Sequence, residues 1–185
     1  MVPRTTLLEP VQSLLHALTT KTPDAPLTTL LRTFTTQPVP LVHEHGLPQL
    51  APFLGLSFTG QDGVARYFEL LGDHLSIANM TFEPDDAWLV DDSCMAVVLR
   101  GHATFTWKDT GQAWDETFVY RIALAEEMSP DEERRGKLRV CEYRVWADTG
   151  AAYLARLGKL GDLVGGRDTA KGGVEGIHLP GAKGG

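Results

Sequence analysis

The sequence predicts an α+β fold in which helices come first and an antiparallel sheet follows, and three observations carry this. Apolar residues recur at helical spacing as far as Leu75, the period shortens to two from Thr81 onward, and clusters of turn-forming residues separate the later segments.

The totals bound the answer. At 185 residues the chain is long enough for one domain, because a domain of about 150 residues buries roughly 68–70% of its unfolded surface and needs neither metal nor disulfide. That domain is expected over residues 1–160, with a flexible glycine-rich tail over 161–185. Apolar residues make up 43% and charged residues 22%, and no apolar run approaches the ~18 residues of a membrane helix. A net charge of -7 argues against nucleic acid, whose affinity comes from clustered Lys and Arg. Glu9, Pro10 and Gln12 interrupt any signal-like run, so a cytoplasmic location is the expectation. Cys94 and Cys141 lack metal-type spacing and read as small, buried strand residues.

Thr6 and Glu9 have capping-box spacing, and Leu7, Val11, Leu14, Leu15 and Leu18 then share one helical face. A second stripe, Leu27, Leu30, Leu31 and Phe34, ends before Pro38. The proline-rich segment 39–56 leaves room for a brief strand around 41–45. Thr59 or Asp62 then caps a third helix carrying Val64, Tyr67, Phe68, Leu71 and Leu75. Strands are expected at 81–90, 94–107, 112–125 and 137–147, followed by a helix through Ala151, Leu154 and Leu160. The charged loop 126–135 is expected in solvent.

A four-residue loop at 108–111 would place Phe105 opposite Trp114, Ala103 opposite Glu116, Gly101 opposite Phe118 and Leu99 opposite Tyr120. This register collects the apolar side chains on one face, and a slip of one residue would mix the faces. On the last strand the same logic turns Cys141, Tyr143, Val145 and Ala147 inward and leaves Val140, Glu142, Arg144 and Trp146 outside.

Glu116 is the exception on the inner face. A lone carboxylate there must either be paired as a structural tie or line a cavity, where desolvation would raise its pKa toward the acid–base range. His43 and His45 share a strand face with Leu41. They either point inward toward Glu116 or sit exposed on an edge. Tyr143 is a candidate pocket hydroxyl, or a packed core residue. Tyr67, Trp88, Trp107, Trp114 and Tyr120 are candidate ligand-contacting aromatics, or core fillers. Asp148 precedes Thr149-Gly150-Ala151 and reads best as a helix cap. A metal centre is not specified by so few ligands at this spacing, and no nucleotide or cofactor fingerprint occurs, so none is expected. Arg121, Arg144 and Trp146 give the outer face the composition of a subunit contact, so a homodimer through that face is expected.

Three stretches, Gly60-Gln61-Asp62-Gly63-Val64-Ala65-Arg66-Tyr67-Phe68, Thr110-Gly111-Gln112-Ala113-Trp114-Asp115-Glu116-Thr117-Phe118 and Gly136-Lys137-Leu138 through Trp146-Ala147-Asp148, sit in an order that resembles SnoaL-like domains of fungal type within the nuclear-transport-factor-2-like superfamily. The resemblance covers about residues 6–160. It implies a curved antiparallel sheet forming a cone closed by N-terminal helices. It also implies a pocket in which His, Asp or Tyr side chains move protons without a cofactor, as in ketosteroid isomerase, scytalone dehydratase and polyketide cyclases. Where the isomerase carries an aspartate base, this chain carries His43 and His45. His102, on the outer face, does not match the dehydratase's histidine pair. The expected function is therefore a cofactor-independent lyase, isomerase or cyclase acting on a small apolar, oxygenated molecule. In it His43 or His45 is the base, Glu116 orients it or is the acid, and Tyr143 or Tyr120 donates to a developing oxyanion. The alternative is a non-catalytic binding or dimerising domain.

Overall fold

A computed structural model describes residues 2–20, 27–128, 130 and 132–165. Helix α1 spans Arg4–Thr19 and buries Leu7, Leu8, Val11, Leu14 and Leu15 along one stripe. It begins two residues ahead of the expected cap, because the Thr6 N–H already bonds the Pro3 carbonyl at 3.0 Å and needs no side-chain partner. Helix α2 (Leu27–Leu31) is a single turn, and α3 (Gly60–His74) buries Val64, Tyr67 and Leu70. Helix α4 (Thr149–Arg156) follows the last strand. A further short helix, α5 (Leu160–Gly165), occupies the first residues of the expected tail, and the remainder of that tail lies outside the described residues.

Seven strands form one sheet: β1 (Leu41–Glu44), β2 (Ser57–Thr59), β3 (Leu75–Phe82), β4 (Leu89–Asp91), β5 (Ala96–Trp107), β6 (Ala113–Glu126) and β7 (Leu138–Trp146). Their order is β2-β1-β7-β6-β5-β3, with β4 also on β5. The β5–β6 hairpin has the anticipated register, with Phe105 opposite Trp114, Ala103 opposite Glu116, Gly101 opposite Phe118 and Leu99 opposite Tyr120. The sheet is mixed rather than wholly antiparallel, because β1 runs parallel to β7.

Local pattern misplaces several features. Strand β3 starts at Leu75, where a helix end was expected, because Leu75 and Ile77 pair with Trp107 and Phe105. It bulges near Asn79, which takes a left-handed φ of 54° that Asn tolerates. The expected strand 81–90 is broken by a 3₁₀ turn at Asp85–Ala87, which leaves Thr81 and Phe82 at the end of β3 and Leu89 and Val90 in the short β4. In β7 a bulge opposite Ala123 and Leu124 makes Cys141 the extra residue, so Val140 and Tyr143 both face the core. Val140 is thus inward, against expectation, Cys141 is only half-buried, and Cys94 is exposed in a turn. The loop after β6 is not wholly in solvent. Glu127 is 1% exposed and accepts bonds from the Thr36 and Gln37 N–H groups, the Thr36 hydroxyl and Arg134.

The inner face of the curved sheet meets α1, α3 and α4, and their apolar residues form a single core. Among the described residues no helix is long and apolar enough to cross a membrane.

Candidate functional site

A cavity of about 540 Å³ opens between the concave face of the sheet and helices α3 and α4. Its walls are mostly apolar, with Phe68 and Leu71 from α3, Ile77 from β3, Phe105 from β5 and Phe118 from β6. Among its polar side chains are Glu44 from β1, Tyr67 from α3, Asn79 from β3, Glu116 and Tyr120 from β6, and Tyr143 from β7.

Glu44 reaches the cavity because β1 pairs in parallel with β7. Val42 lies beside Tyr143 and Glu44 beside Val145, and residues adjacent across a parallel pair share a face. The pair Val42 and Glu44 is therefore inside, at 0% and 6% exposure. His43 and His45 are on the opposite side, so that of the two placements open to them the inward one, with the role of base expected there, does not hold, and β1 lies between β2 and β7 rather than at an edge. His43 lies beside Arg144, and the His45 ring stacks on Trp146 with centroids 4.4 Å apart and planes at 12°. His43 meets His45 edge-on at 4.7 Å. Neither histidine lines the cavity. Desolvation, with His43 and Arg144 close by, pushes the His45 pKa below its ordinary value.

Inside, the Tyr67 hydroxyl donates to Glu44 Oε2 at 2.7 Å. Burial raises the Glu44 carboxyl from 4.5 to about 7, with the Tyr67 hydrogen bond opposing and the Glu116 charge reinforcing the shift. Tyr67, Tyr120 and Tyr143 are pushed upward, in each case chiefly by burial, so all three remain protonated donors at neutral pH. Tyr120 meets Tyr143 edge-on at 4.8 Å, and Phe68 stacks on Tyr143 at 6.2 Å. A carboxyl poised near neutrality thus sits among neutral phenols, of which Tyr67 donates to it and Tyr143 donates to Tyr120.

Glu116 is where the hairpin register places it, 7% exposed on the inner face. It is both things the sequence allowed, tied down and cavity-lining. One oxygen accepts from Trp114 Nε1 at 2.7 Å and the other from the Asp148 N–H. Burial raises its pKa, although these two donors pull the other way. Asp148 caps α4, its Oδ1 accepting from the N–H groups of Gly150 (3.0 Å) and Ala151 (3.1 Å), and it also borders the cavity.

Of the other aromatic candidates, Tyr67, Trp114 and Tyr120 line the cavity. Trp88 and Trp107 do not: Trp88 is buried with its Nε1 bonded to the Glu83 carbonyl at 2.8 Å, and Trp107 packs between Phe53 and His74. Both are buried members of the core. The residue that sequence reasoning missed is Glu44. Its signal was the shared parity with Val42, a β-branched residue suited to a buried strand face, but its charge and the polar flanks argued the other way. Among the described residues no cluster of three or more His, Cys, Asp or Glu side chains is arranged to hold a metal ion.

No family model and no curated protein matches the sequence. Solved structures do match the fold. An NTF2-like protein from Burkholderia xenovorans LB400 superposes with a TM-score of 0.59 at 17% identity, over 82% of this chain and 95% of that one. A ketosteroid isomerase-like protein from Erwinia carotovora atroseptica SCRI1043 gives 0.52 at 14% identity, over 78% and 95%. The BvnE pinacolase from Penicillium brevicompactum gives 0.53 at 15% identity, over 88% and 98%. The chain has the NTF2-like cone fold, the α+β architecture that its element order implied.

Proposed function

We propose that the protein is a cofactor-independent acid–base catalyst, a lyase, isomerase or cyclase, acting on a small apolar, oxygenated molecule bound in the cavity. Glu44 replaces the two histidines as the proton-transfer group. The observation that carries this is the Glu44–Tyr67 pair: a fully enclosed carboxyl with a pKa of about 7, hydrogen-bonded at 2.7 Å, on the wall of a 540 Å³ cavity. A general base works best with a pKa near the operating pH, and desolvation supplies that here. Tyr120, which accepts a hydrogen bond from Tyr143, would donate to an oxyanion developing on the substrate, with Tyr143 orienting it as a preorganised donor. Glu116, held by Trp114 and Asp148, would act as the second carboxyl, setting substrate orientation or returning the proton. Similarity of fold to a pinacolase and a ketosteroid isomerase-like protein is compatible with this chemistry and does not select among its forms.

The direct test is hydrogen–deuterium exchange, followed by NMR, of the acidic C–H bonds of a panel of apolar ketones incubated with the protein in D₂O. Enzyme-dependent exchange that disappears in Glu44→Gln is expected. Ketones that bind without exchanging would leave the non-catalytic binding reading in its place.

A second role belongs to the opposite face of the sheet. We infer that it forms a homodimer contact, supported by Trp146 standing 39% exposed with His45 stacked on it and by the Arg121–Glu142–Arg144 ion-pair chain beside it.

A further inference from the structure

We propose that the cavity selects an apolar molecule bearing a protonated amine, held between the carboxylates of Glu44 and Glu116 and the aromatic faces around them. This rests on the same cavity being the ligand site, but it does not depend on turnover.

The sign of the site is its least expected property. Among the described residues its lining includes the acidic residues Glu44, Glu116 and Asp148 and no Lys, Arg or His. Buried carboxylates are ordinarily paired with a cation, and among the described residues neither Glu44 nor Glu116 has one, whereas Asp148 is exposed. Asp148 is accounted for by the helix it caps. Glu44 is not, because Tyr67 satisfies only Oε2, and among the described residues Oε1 has no hydrogen-bond partner. At 6% exposure, Glu44 has its remaining free surface on the cavity it lines. Glu116 holds one donor per oxygen, which leaves each oxygen a lone pair to offer.

The surrounding rings suit the same ligand. Phe105 and Trp114 stack at 5.6 Å, and Phe118 stacks on Tyr120 at 4.7 Å, so ring faces and carboxylates border one space. Ring faces attract cations, most strongly where water is excluded, and a carboxylate adds a charge-assisted hydrogen bond. An anionic ligand would meet like charge from both glutamates. With a neutral one, Glu44 would feel the Glu116 charge unrelieved once ionised above about pH 7, which an ammonium group beside it relieves. The recognised class is accordingly a lipophilic amine or quaternary ammonium compound.

The probes are 1-adamantylamine, which is charged throughout the working range, and its uncharged isostere 1-adamantanol, titrated calorimetrically into the full chain at pH 8. The amine is expected to bind at least about tenfold more tightly, the order of a desolvated cation–π contact with a charge-assisted hydrogen bond. Glu44→Gln and Glu116→Gln, which keep side-chain size, should each reduce that preference while alcohol binding is retained. Equal affinity for the two probes, binding of neither, or a preference unchanged in both variants would overturn the proposal. Loss of ketone exchange with the amine preference intact would remove the catalytic reading and leave this one standing.

Discussion

The Tyr67 hydroxyl donates to Glu44 Oε2 at 2.7 Å in a site where Glu44 is only 6% exposed. One helix and one short strand are thereby joined through a group that can change charge near neutrality. The groups facing Glu44 are Tyr67 from α3, Tyr120 and Glu116 from β6 and Tyr143 from β7, none of them cationic.

Stability should therefore depend on Glu44 in a definite direction. Its native pKa, about 7, lies above the reference value of 4.5, so the folded state holds the proton more tightly than the unfolded state. The contribution is complete below pH 4.5 and is lost as pH rises through 7, a swing on the order of 3 kcal/mol. Thermal melts of the wild type and Glu44→Gln should diverge over that range, with the variant gaining on the wild type toward pH 8. A melting difference constant from pH 4 to pH 8 would contradict the assignment.

Glu127 should behave in the opposite sense. Its hydrogen bonds from Thr36, Gln37 and Arg134 outweigh the burial and hold its pKa down at about 2. Its contribution is present above pH 4.5 and is lost as pH falls through 2. Glu127→Gln should cost up to about 3 kcal/mol at pH 7, read by urea unfolding, with the cost shrinking in acid.

Gly101 lies under the rings of Phe118 and Phe82. A Cβ there would fall 2.8 Å from Phe82 Cδ1 and still nearer Phe118. Gly101→Ala should destabilise the fold by about 1–3 kcal/mol, the usual cost of overpacking, despite the better strand propensity of alanine. Gly101→Ala combined with Phe118→Leu should recover part of this if ring contact is the cause, which a double-mutant cycle of unfolding free energies measures.

Trp146→Glu places a charge at the centre of the outer-face patch, where His45 stacks. If that face joins two copies, light scattering should report a dimer for the wild type and a monomer for the variant, with amine binding in the cavity unchanged.

Much of this was readable in the chain. The hairpin around 108–111 is local, its loop length sets the partners, and the alternation of apolar residues over more than ten positions on each side leaves one register that buries them. Glu116 was placed on the inner face by that argument, and Asp148 was identified as a cap by its immediate neighbours. The orientation of β1 was a different matter. Four residues between prolines carry too little periodicity to choose a face, and the choice was made by the parallel pairing with β7, about a hundred residues away in sequence. That pairing sets Val42 and Glu44 against the core and turns His43 and His45 to the outside. Local hairpin chemistry and long alternation thus determined the β5–β6 hairpin and its register, while a non-local strand pairing, which no short window can encode, brought Glu44 to the cavity beside Glu116.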